Sequence, residues 1–287
     1  MRILILGVTG MLGHTLFKIL SQSTAHEIHG TYRSINSNIP LWYKNNKNLT
    51  AGVNVLDIDL IKNLMNNCKP NVVINCVGLI KQLDAIDDPL VAIPINSLFP
   101  HQLYNICEGL NARLIHISTD CVFSGRVGGY RESDNPDPSD LYGKSKLLGE
   151  INNKNAVTIR TSIIGHELNA KLSLLEWFLC QKIMVKGYAK AFFSGLTTVE
   201  ISRVILDKIL PKSDIAGLYH LASHKISKFE LLKIIANVYE KEIDIIENSS
   251  VVIDRSLNSD LFNSTFKYQP PSWPKLVQDM YEFNRDK

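Results

Sequence analysis

Tyr142 and Lys146 lie four residues apart, and Ser118, Thr119 and Asp120 follow an apolar run earlier in the chain. On a helix, that spacing puts the tyrosine and the lysine on the same face. The hydroxyls of Ser118 and Thr119 would then reach Tyr142 and Lys146 from the end of a strand. A phenol whose pKa is lowered by a neighbouring ammonium can give a proton to an oxygen that is gaining charge, while a fixed hydroxyl holds that oxygen. The chemistry predicted is carbonyl reduction or its reverse.

The same Tyr-x-x-x-Lys spacing occurs at Tyr43 and Lys47. That pair lies in an asparagine-rich stretch without a helical apolar period, and no strand end carrying hydroxyls precedes it, so a solvated loop is predicted there. For Tyr142, the alternative to a proton-donating site is an ordinary surface tyrosine with a lysine one helical turn later, and the spacing alone does not separate the two. The strand-like run before Ser118 is what favours a proton-donating site.

A glycine-rich turn near the amino terminus supplies a second motif. It stands between the apolar run 2–6 and a helical apolar pattern that starts at Leu12. This order of strand, glycine turn and helix predicts a site for the pyrophosphate of a dinucleotide, which would rest on helix amides. The first turn holds one residue more than the usual fingerprint. The residues predicted to hold the cofactor here are Gly7, Thr9, Gly10, Met11, Leu12 and Gly13.

The end of the second predicted strand bears on the choice of cofactor. In NAD-binding proteins, a carboxylate about twenty residues past the glycines takes the 2′-hydroxyl of the adenosine ribose. Here Arg33 stands in that region, where its guanidinium can pair with a 2′-phosphate, and the prediction is NADPH in preference to NADH. An exposed arginine without such a role is the alternative. Further cofactor contacts are predicted at later strand ends, at Asp57 and Ile58 beside the adenine and at Val77 and Gly78.

Apolar runs alternate with helical patterns over the first 165 residues. The runs that predict strands are 3–6, 27–32, 72–77, 113–117 and 156–160. The helical patterns are 12–21, 60–67, 94–110 and 142–152. Repeated β-α units of this kind predict an α/β fold with a doubly wound parallel (Rossmann) sheet, in which ligands bind beyond the carboxyl ends of the strands. The motifs above stand at such ends.

The pattern changes after residue 165. We therefore predict a dinucleotide-binding domain over 1–165 and a smaller, mainly substrate-binding part over 166–287, with some segments returning to the first domain. Helices are predicted at 174–180, 199–209 and 227–239, a loop at 187–195, a strand at 217–222 and a final helix after Pro271. Ser227 and Glu230 have the spacing of a capping box at the start of one helix.

Composition limits the classes of protein. The chain has 287 residues, of which 45% are hydrophobic and 21% charged, as in globular proteins. A net charge of +3 predicts no nucleic-acid partner, and no apolar stretch approaches the roughly 18 residues of a membrane span. The first residues predict a strand and not a signal peptide, so a cytoplasmic protein is expected. Five cysteines without a Cys-x-x-Cys pair predict neither a disulfide framework nor a metal site.

Three motifs together resemble the extended short-chain dehydrogenase/reductases, and more narrowly the dTDP-4-dehydrorhamnose reductase family. They are the Gly-x-x-Gly-x-x-Gly turn at 7–13, the Ser-Thr-Asp-Cys-Val-Phe-Ser-Gly string at 118–125, and Tyr-Gly-Lys-Ser-Lys at 142–146. Similarity continues through 160–162, 217–222 and 255–259 and so covers nearly the whole chain. The resemblance implies that Thr119 is the hydroxyl partner and Tyr142 the proton donor. It implies that Lys146 lowers the tyrosine pKa and holds the nicotinamide ribose, and it places both Tyr142 and Lys146 among the cofactor-binding residues.

The same resemblance implies NADPH-dependent reduction of a nucleotide-linked 4-keto-6-deoxy sugar. Cys121 stands where the family usually has tyrosine, and residues 75–82 replace an alanine-rich strand end followed by Tyr-Thr. A UDP-linked, N-acetylated sugar therefore fits as well as a dTDP-linked one. Candidates for contact with sugar or pyrophosphate are Lys81, Gln82, Asp120, Arg160, Ser194 and Thr197, and an ordinary surface or capping role is the alternative for each.

Two other functions stay open at this point. One is a nucleotide-sugar epimerase or dehydratase of the same superfamily, which recycles a tightly held cofactor. The other is a non-catalytic binding subunit, because the resemblance extends to a regulatory subunit of methionine adenosyltransferase. The intact set of Thr119, Tyr142 and Lys146 argues against that reading. The superfamily resemblance also suggests a homodimer through the helix of Tyr142.

Overall fold

Seven parallel strands form the central sheet of the computed structural model, which describes residues 1–34, 40, 43, 46–168 and 171–285. In chain order the strands of the protein are β1 (Arg2–Leu6), β2 (Glu27–Thr31), β3 (Leu49–Thr50), β4 (Val72–Asn75), β5 (Arg113–Thr119), β6 (Ala156–Thr161), β7 (Ile163–Ile164), β8 (Met184–Tyr188), β9 (Ala191–Phe193), β10 (Leu196–Thr197), β11 (Gly217–His220), β12 (Ile226–Ser227), β13 (Asp244–Asn248) and β14 (Ile253–Asp254). The central sheet has the order β11-β6-β5-β4-β1-β2-β3. The predicted doubly wound parallel sheet is confirmed.

Helices connect the strands and cover both faces of the sheet. In chain order they are α1 (Met11–Leu20), α2 (Ile58–Cys68), α3 (Pro89–Ile93), α4 (Phe99–Gly109), α5 (Leu141–Leu148), α6 (Leu174–Cys180), α7 (Thr198–Val204), α8 (Lys228–Val238), α9 (Asp260–Phe266) and α10 (Trp273–Arg285). The π-helical segments Pro94–Leu98 and Ile205–Ile209 continue α3 into α4 and extend α7. Within the described ranges, no helix is both long and apolar enough to cross a membrane.

β1 shows why nearly continuous apolar runs become strands of this sheet. Its residues alternate between the two faces, so that Ile3 and Ile5 belong to one hydrophobic core and Leu4 and Leu6 to the other. All four side chains are buried, because each face of a parallel sheet is covered by helices. The ends of the strands, and not their faces, are therefore left to bind ligands.

The turn between β1 and α1 depends on two glycines. Gly7 has a φ of +85°, a conformation that favours glycine, and the amides of Gly7 and Val8 both donate to Thr31 O at 3.0 Å. Gly13 lies in the first turn of α1, where a Cβ atom would come 2.1 Å from the Gly7 oxygen. The start of the helix therefore lies directly on the end of β1 and next to the end of β2.

Residues after 165 form small sheets and also return to the central one. β8 pairs with β13, β9 with β12 and β14, and β10 with β7. β11 is instead the edge strand of the central sheet beside β6, and α7 packs on α1, where Thr15 Oγ1 donates to Thr198 Oγ1 at 3.1 Å. The loop predicted at 187–195 is wrong, since Ala191 and Phe193 are buried and their strand pairs on both sides. The domain boundary at residue 165 stays a prediction.

Two local predictions in the first part of the chain are wrong. Tyr43 is fully buried and its hydroxyl donates to Val8 O at 2.9 Å, so it belongs to the core and not to a solvated loop. The strand end predicted at Asp57 and Ile58 is also wrong, because the third strand is β3. Asp57 is instead the N-cap of α2, where its carboxylate accepts a hydrogen bond from the Leu60 amide at 3.0 Å. A single aromatic side chain in a polar stretch has no periodicity, so its burial is not visible in the sequence.

The helix that carries Tyr142 is shorter than predicted. α5 ends at Leu148 and not at residue 152, and Gly149 is its C-cap. A Cβ atom at Gly149 would lie 1.9 Å from Asn96 O in the π-helical segment. This close backbone contact requires glycine and turns the chain back toward the sheet.

Replacing Gly13 by alanine tests the contact between α1 and the glycine turn. We expect Gly13→Ala to lower the free energy of unfolding by about 1–3 kcal/mol, because the new methyl group overlaps the Gly7 carbonyl. Gly109→Ala is the matched control: Gly109 ends α4 with open space around it, so this change should stabilise the protein by at most about 1 kcal/mol. Urea unfolding compares the two variants with the wild type. Equal stability of the two variants would contradict the tight turn.

Candidate active site

Local capping positions the helix of Tyr142 and Lys146 at the end of β5. Asp140 is the N-cap of α5 and accepts a hydrogen bond from the Gly143 amide at 2.8 Å. A Cβ atom at Gly143 would lie 2.3 Å from Cys121 O, in the 3-10 turn that follows β5. The first turn of the helix therefore lies directly against the strand end, which brings its side chains to the hydroxyls of β5.

One cavity of about 500 Å³ contains the three residues predicted to carry the chemistry, Thr119, Tyr142 and Lys146. Thr119 is the last residue of β5; its hydroxyl contacts the phenol of Tyr142 and also donates to Asp120 Oδ1 at 3.2 Å. Lys146 is buried, and its Nζ donates to Ile117 O at 2.7 Å. Hydroxyl, phenol and ammonium are thus gathered at one strand end.

Ionisation of Tyr142 differs from the sequence-based expectation. Burial raises the pKa of the phenol above its usual value, and the nearby Cys121 adds to this effect, whereas the hydrogen bond with Thr119 opposes it. The pKa of Lys146 is lowered to about 8 by burial, with the charge of Glu150 acting in the opposite direction. In the protein alone the tyrosine therefore keeps its proton, and the expected lowering of its pKa by Lys146 is not seen.

The cavity extends to the glycine turn and the start of α1. Gly7 and Gly13 close the turn, but a Cβ atom at Gly10 would meet nothing nearer than the Gly7 oxygen at 3.4 Å, so the outer side of the turn is open. Gly78, at the end of β4, would place a Cβ atom 3.8 Å from Lys146 Nζ. Of the predicted cofactor residues, those that line the cavity are Gly10, Met11, Leu12, Val77, Gly78, Tyr142 and Lys146. The groove fits a dinucleotide that runs from α1 to Lys146.

The predicted adenine end lies outside this cavity. Arg33 is exposed, two residues past Thr31, which accepts hydrogen bonds from the glycine turn. Val53 donates to Tyr32 O at 3.1 Å, so the segment that leads to Asp57 runs beside the end of β2. Asp57 and Ile58 begin α2, and the carboxylate of Asp57 is used in its cap. Thr9 lies in the glycine turn without lining the cavity.

Half of the predicted substrate residues are in the cavity. Lys81, Gln82 and Asp120 line it, and the ammonium of Lys81 donates to the carboxylate of Asp140, which caps α5. Asp120 is buried, and this burial raises the pKa of its carboxyl, although the charge of Arg255 opposes the shift.

The other three substrate candidates, Arg160, Ser194 and Thr197, make internal contacts, and their role toward a substrate stays a prediction. Arg160 makes a buried ion pair with Glu150, with Nη2 and Oε2 2.7 Å apart. Ser194 accepts a hydrogen bond from the Leu257 amide at 2.9 Å, and Thr197 is the N-cap of α7. None of the three lines the cavity.

Two cationic side chains of the cavity were missed in the sequence. Lys228, the first residue of α8, and Arg255, which follows β14, both line it. Burial lowers the pKa of the Lys228 ammonium, and the charge of Asp120 opposes this. Arg255 donates through Nε to Phe123 O at 2.9 Å. The segment of Arg255 carried part of the family resemblance, whereas Lys228 follows a helix cap and has no chemical signal of its own.

Comparison with known proteins identifies the family. Residues 1–285 match the sequence profile of the RmlD substrate binding domain. The chain belongs to this family. The match covers the glycine turn, the residues of the cavity and the small sheets alike.

Curated relatives of this family member have different roles. Methionine adenosyltransferase 2 subunit beta of Xenopus tropicalis is 25% identical over 251 residues, which are 83% of this chain and 72% of the relative. The probable low-salt glycan biosynthesis reductase Agl14 of Haloferax volcanii is 30% identical over 165 residues, 55% of this chain and 52% of the relative.

Among solved structures, the dTDP-4-dehydrorhamnose reductase of Bacillus anthracis in complex with NADP superimposes with a TM-score of 0.80. It is 22% identical, and the alignment covers 98% of both chains. This similarity establishes that the two proteins share one fold from end to end.

Burial of the Lys146 ammonium should appear in the pH dependence of stability. A buried lysine whose pKa is lowered by folding destabilises the native state while it is protonated. Below pH 8 the Lys146 side chain is protonated in both states, so the wild type is destabilised by the full amount. As the pH rises from about 8 to 10.5, the unfolded chain binds more protons than the native state. The wild type therefore gains stability over this range, on the order of 3 kcal/mol.

Lys146→Met removes the titrating group and provides the reference. Urea unfolding of both proteins across this pH range should show the wild type gaining stability relative to the variant as the pH rises. A difference between the two proteins that stays constant from neutral pH to pH 10 would contradict the lowered pKa.

Proposed function

We propose that this protein is an NADPH-dependent reductase of a nucleotide-linked 4-keto-6-deoxy sugar. The observation that carries the proposal is the convergence of Thr119, Tyr142 and Lys146 in one cavity that begins at the glycine turn. A non-catalytic dinucleotide site has no need of a phenol, a hydroxyl and a buried ammonium at the place where a nicotinamide would end. The geometry supports a proton-donating site next to a redox cofactor.

Each of the three residues has a distinct task in this proposal. A bound reduced nicotinamide supplies hydride chemistry. The hydroxyl of Thr119 and the phenol of Tyr142 hold the ketone oxygen while it gains charge, and Tyr142 then gives it a proton. Because burial raises the pKa of Tyr142, the phenol is protonated before the reaction, as an acid must be. The ammonium of Lys146 stabilises the phenolate that remains.

The charges of the outer cavity support an anionic substrate. Lys81, Lys228 and Arg255 line it together and are able to bind a diphosphate, while Asp120 is left to hydrogen-bond a sugar hydroxyl. These groups accept any nucleoside diphosphate, so both a dTDP-linked and a UDP-linked sugar fit. Cys121 also lines the cavity and departs from the family pattern, and we assign it to sugar selection.

Arg33 supports the choice of NADPH. It is exposed close to the glycine turn, where a guanidinium can pair with a 2′-phosphate. The Bacillus anthracis reductase of the same fold was crystallised with NADP. NADH stays the weaker alternative.

A dinucleotide-binding regulatory subunit is the second candidate. The alignment with methionine adenosyltransferase 2 subunit beta, over 83% of this chain, favours it. An epimerase or dehydratase, the third reading, would keep a tightly bound oxidised dinucleotide through purification. Turnover of externally added NADPH separates the reductase from both.

Tyr142→Phe tests the proposed proton donor. The wild type should oxidise NADPH in the presence of one nucleotide class within a panel of dTDP-, UDP- and GDP-linked 4-keto-6-deoxy sugars. The variant should lose activity by about 10²–10⁴-fold, because the ring is kept and only the acid is removed. Its affinity for NADPH, measured by nucleotide fluorescence, should stay unchanged.

Tyr188→Phe is the control for this change, since Tyr188 lies in β8 and outside the cavity. Its turnover should match that of the wild type. Tight NADPH binding without oxidation by any sugar of the panel would overturn the reductase and favour a binding subunit.

Arg33→Ala tests the cofactor preference. Loss of a hydrogen-bonded charge pair with the 2′-phosphate should raise KM for NADPH by about tenfold or more, with KM for NADH unchanged. Arg285→Ala removes an equally exposed arginine at the far end of α10 and should change neither value. If Arg33→Ala raised KM equally for both nucleotides, Arg33 would not recognise the 2′-phosphate.

A further inference from the structure

A buried ion pair joins the segment that follows α5 to the central sheet. Arg160 of β6 donates to Glu150 through Nε to Oε1 at 2.8 Å and through Nη2 to Oε2 at 2.7 Å. The two side chains are only 5% and 7% exposed. A two-pronged contact of this kind fixes the carboxylate in orientation as well as position. Arg160 therefore holds Glu150 in place.

Glu150 also contacts β5, next to the reacting groups. Ser118 Oγ donates to Glu150 Oε1 at 2.7 Å. Ser118 precedes Thr119, and successive strand residues point to opposite faces. The hydroxyl of Ser118 is thus directed to Glu150 and anchors the strand, while the hydroxyl of Thr119 faces Tyr142. Glu150 ties together the strand that presents Thr119 and the chain that leaves α5.

Glu150 lies four residues after Lys146, and its charge acts on the ammonium. Groups that act on Lys146 come from three segments: Glu150, two residues past the end of its own helix, Cys76 after β4, and His116 on β5. The pKa of His116 is held well below its usual range, by burial first and by Lys146 second, so this imidazole is neutral. Burial likewise raises the pKa of Cys76 to about 12, which leaves the thiol neutral. Glu150 is then the group of this set that balances the buried ammonium.

We propose that Glu150 is a positioning residue of the reductase site: its carboxylate, held by Arg160, fixes Ser118, and with it Thr119, against the helix of Tyr142, and places a negative charge near the ammonium of Lys146. This inference rests on the proposed function. His220, the other neighbour of Arg160, has Nε2 3.3 Å from Nη1, and burial lowers its pKa to about 4. His220 is therefore neutral and adds no second positive charge beside the ion pair.

Glu150→Gln removes the negative charge of the side chain and keeps its shape. The amide retains an oxygen that accepts from Ser118, but the negative charge is gone. Lysine labelled with ¹³C at Cε reports the pKa of Lys146 by NMR, with its resonance assigned by its loss in Lys146→Arg. We expect the pKa of Lys146 to fall by about 1 unit in Glu150→Gln. In a plot of kcat against pH, the limb at high pH should move to lower pH by the same amount. KM should stay within twofold of the wild-type value.

Two further variants complete the test. Ser118→Ala removes the hydrogen bond and keeps the charge, so kcat should fall about tenfold while the pKa of Lys146 and the pH profile stay in place. If Glu150→Gln alone does not fold, Glu150→Gln combined with Arg160→Met removes both buried charges, and pairs removed together are tolerated far better than one partner alone. The pKa of Lys146 should fall in this double variant as well.

A normal pKa of Lys146 in the folded Glu150 variants would overturn the electrostatic role, even if those variants are less stable. Wild-type kcat in Ser118→Ala would overturn the anchoring of Thr119. The NMR titration needs neither cofactor nor sugar. Failure of every sugar to react, with a shifted Lys146, would therefore count against the reductase proposal and not against the charge of Glu150.

Discussion

The burial of one ammonium group governs the architecture of this strand end. Lys146 lies beneath the carboxyl edge of the sheet, where its Nζ donates to Ile117 O and its charge is unfavourable. A buried charge is retained only where hydrogen bonds and an opposite charge compensate it. The carboxylate of Glu150, held by Arg160, provides that compensation. The buried lysine in the cavity wall therefore depends on an ion pair between β6 and the segment that follows α5, whose carboxylate also accepts a hydrogen bond from β5.

Close backbone contacts provide the second constraint, and they explain several of the glycines. Gly13 brings α1 onto the end of β1, Gly143 brings α5 onto the turn after β5, and Gly149 turns the chain at the end of α5. A side chain at any of them would separate the elements whose ends form the cavity. Two helices thus approach the same edge of the sheet closely enough to share one ligand between the glycine turn and the phenol.

The cavity is chemically different at its two ends. Its inner end consists of the glycine turn, Gly78 and the neutral Tyr142, whereas the outer end carries Lys228 and Arg255 from the small sheets and α8. In the proposed function, the groups that act on the ketone come from the end of β5 and from α5, whereas Lys228 and Arg255, which are proposed to bind the diphosphate, come from the later part of the chain. This division agrees with a family whose relatives include a reductase and a subunit of another enzyme.

The sequence by itself determined those features that depend on neighbours in the chain. Alternating apolar runs and helical patterns predicted the parallel sheet, the strand, turn and helix of the glycine motif, and the presence of Tyr142 and Lys146 on one helix face. The tertiary structure alone decided which polar side chains reach the cavity. Arg160 has the chemistry of a substrate ligand but pairs with Glu150, whereas Lys228 arrives from a distant helix. Spacing records local geometry, but the partner of a charge depends on which distant segments the fold brings together.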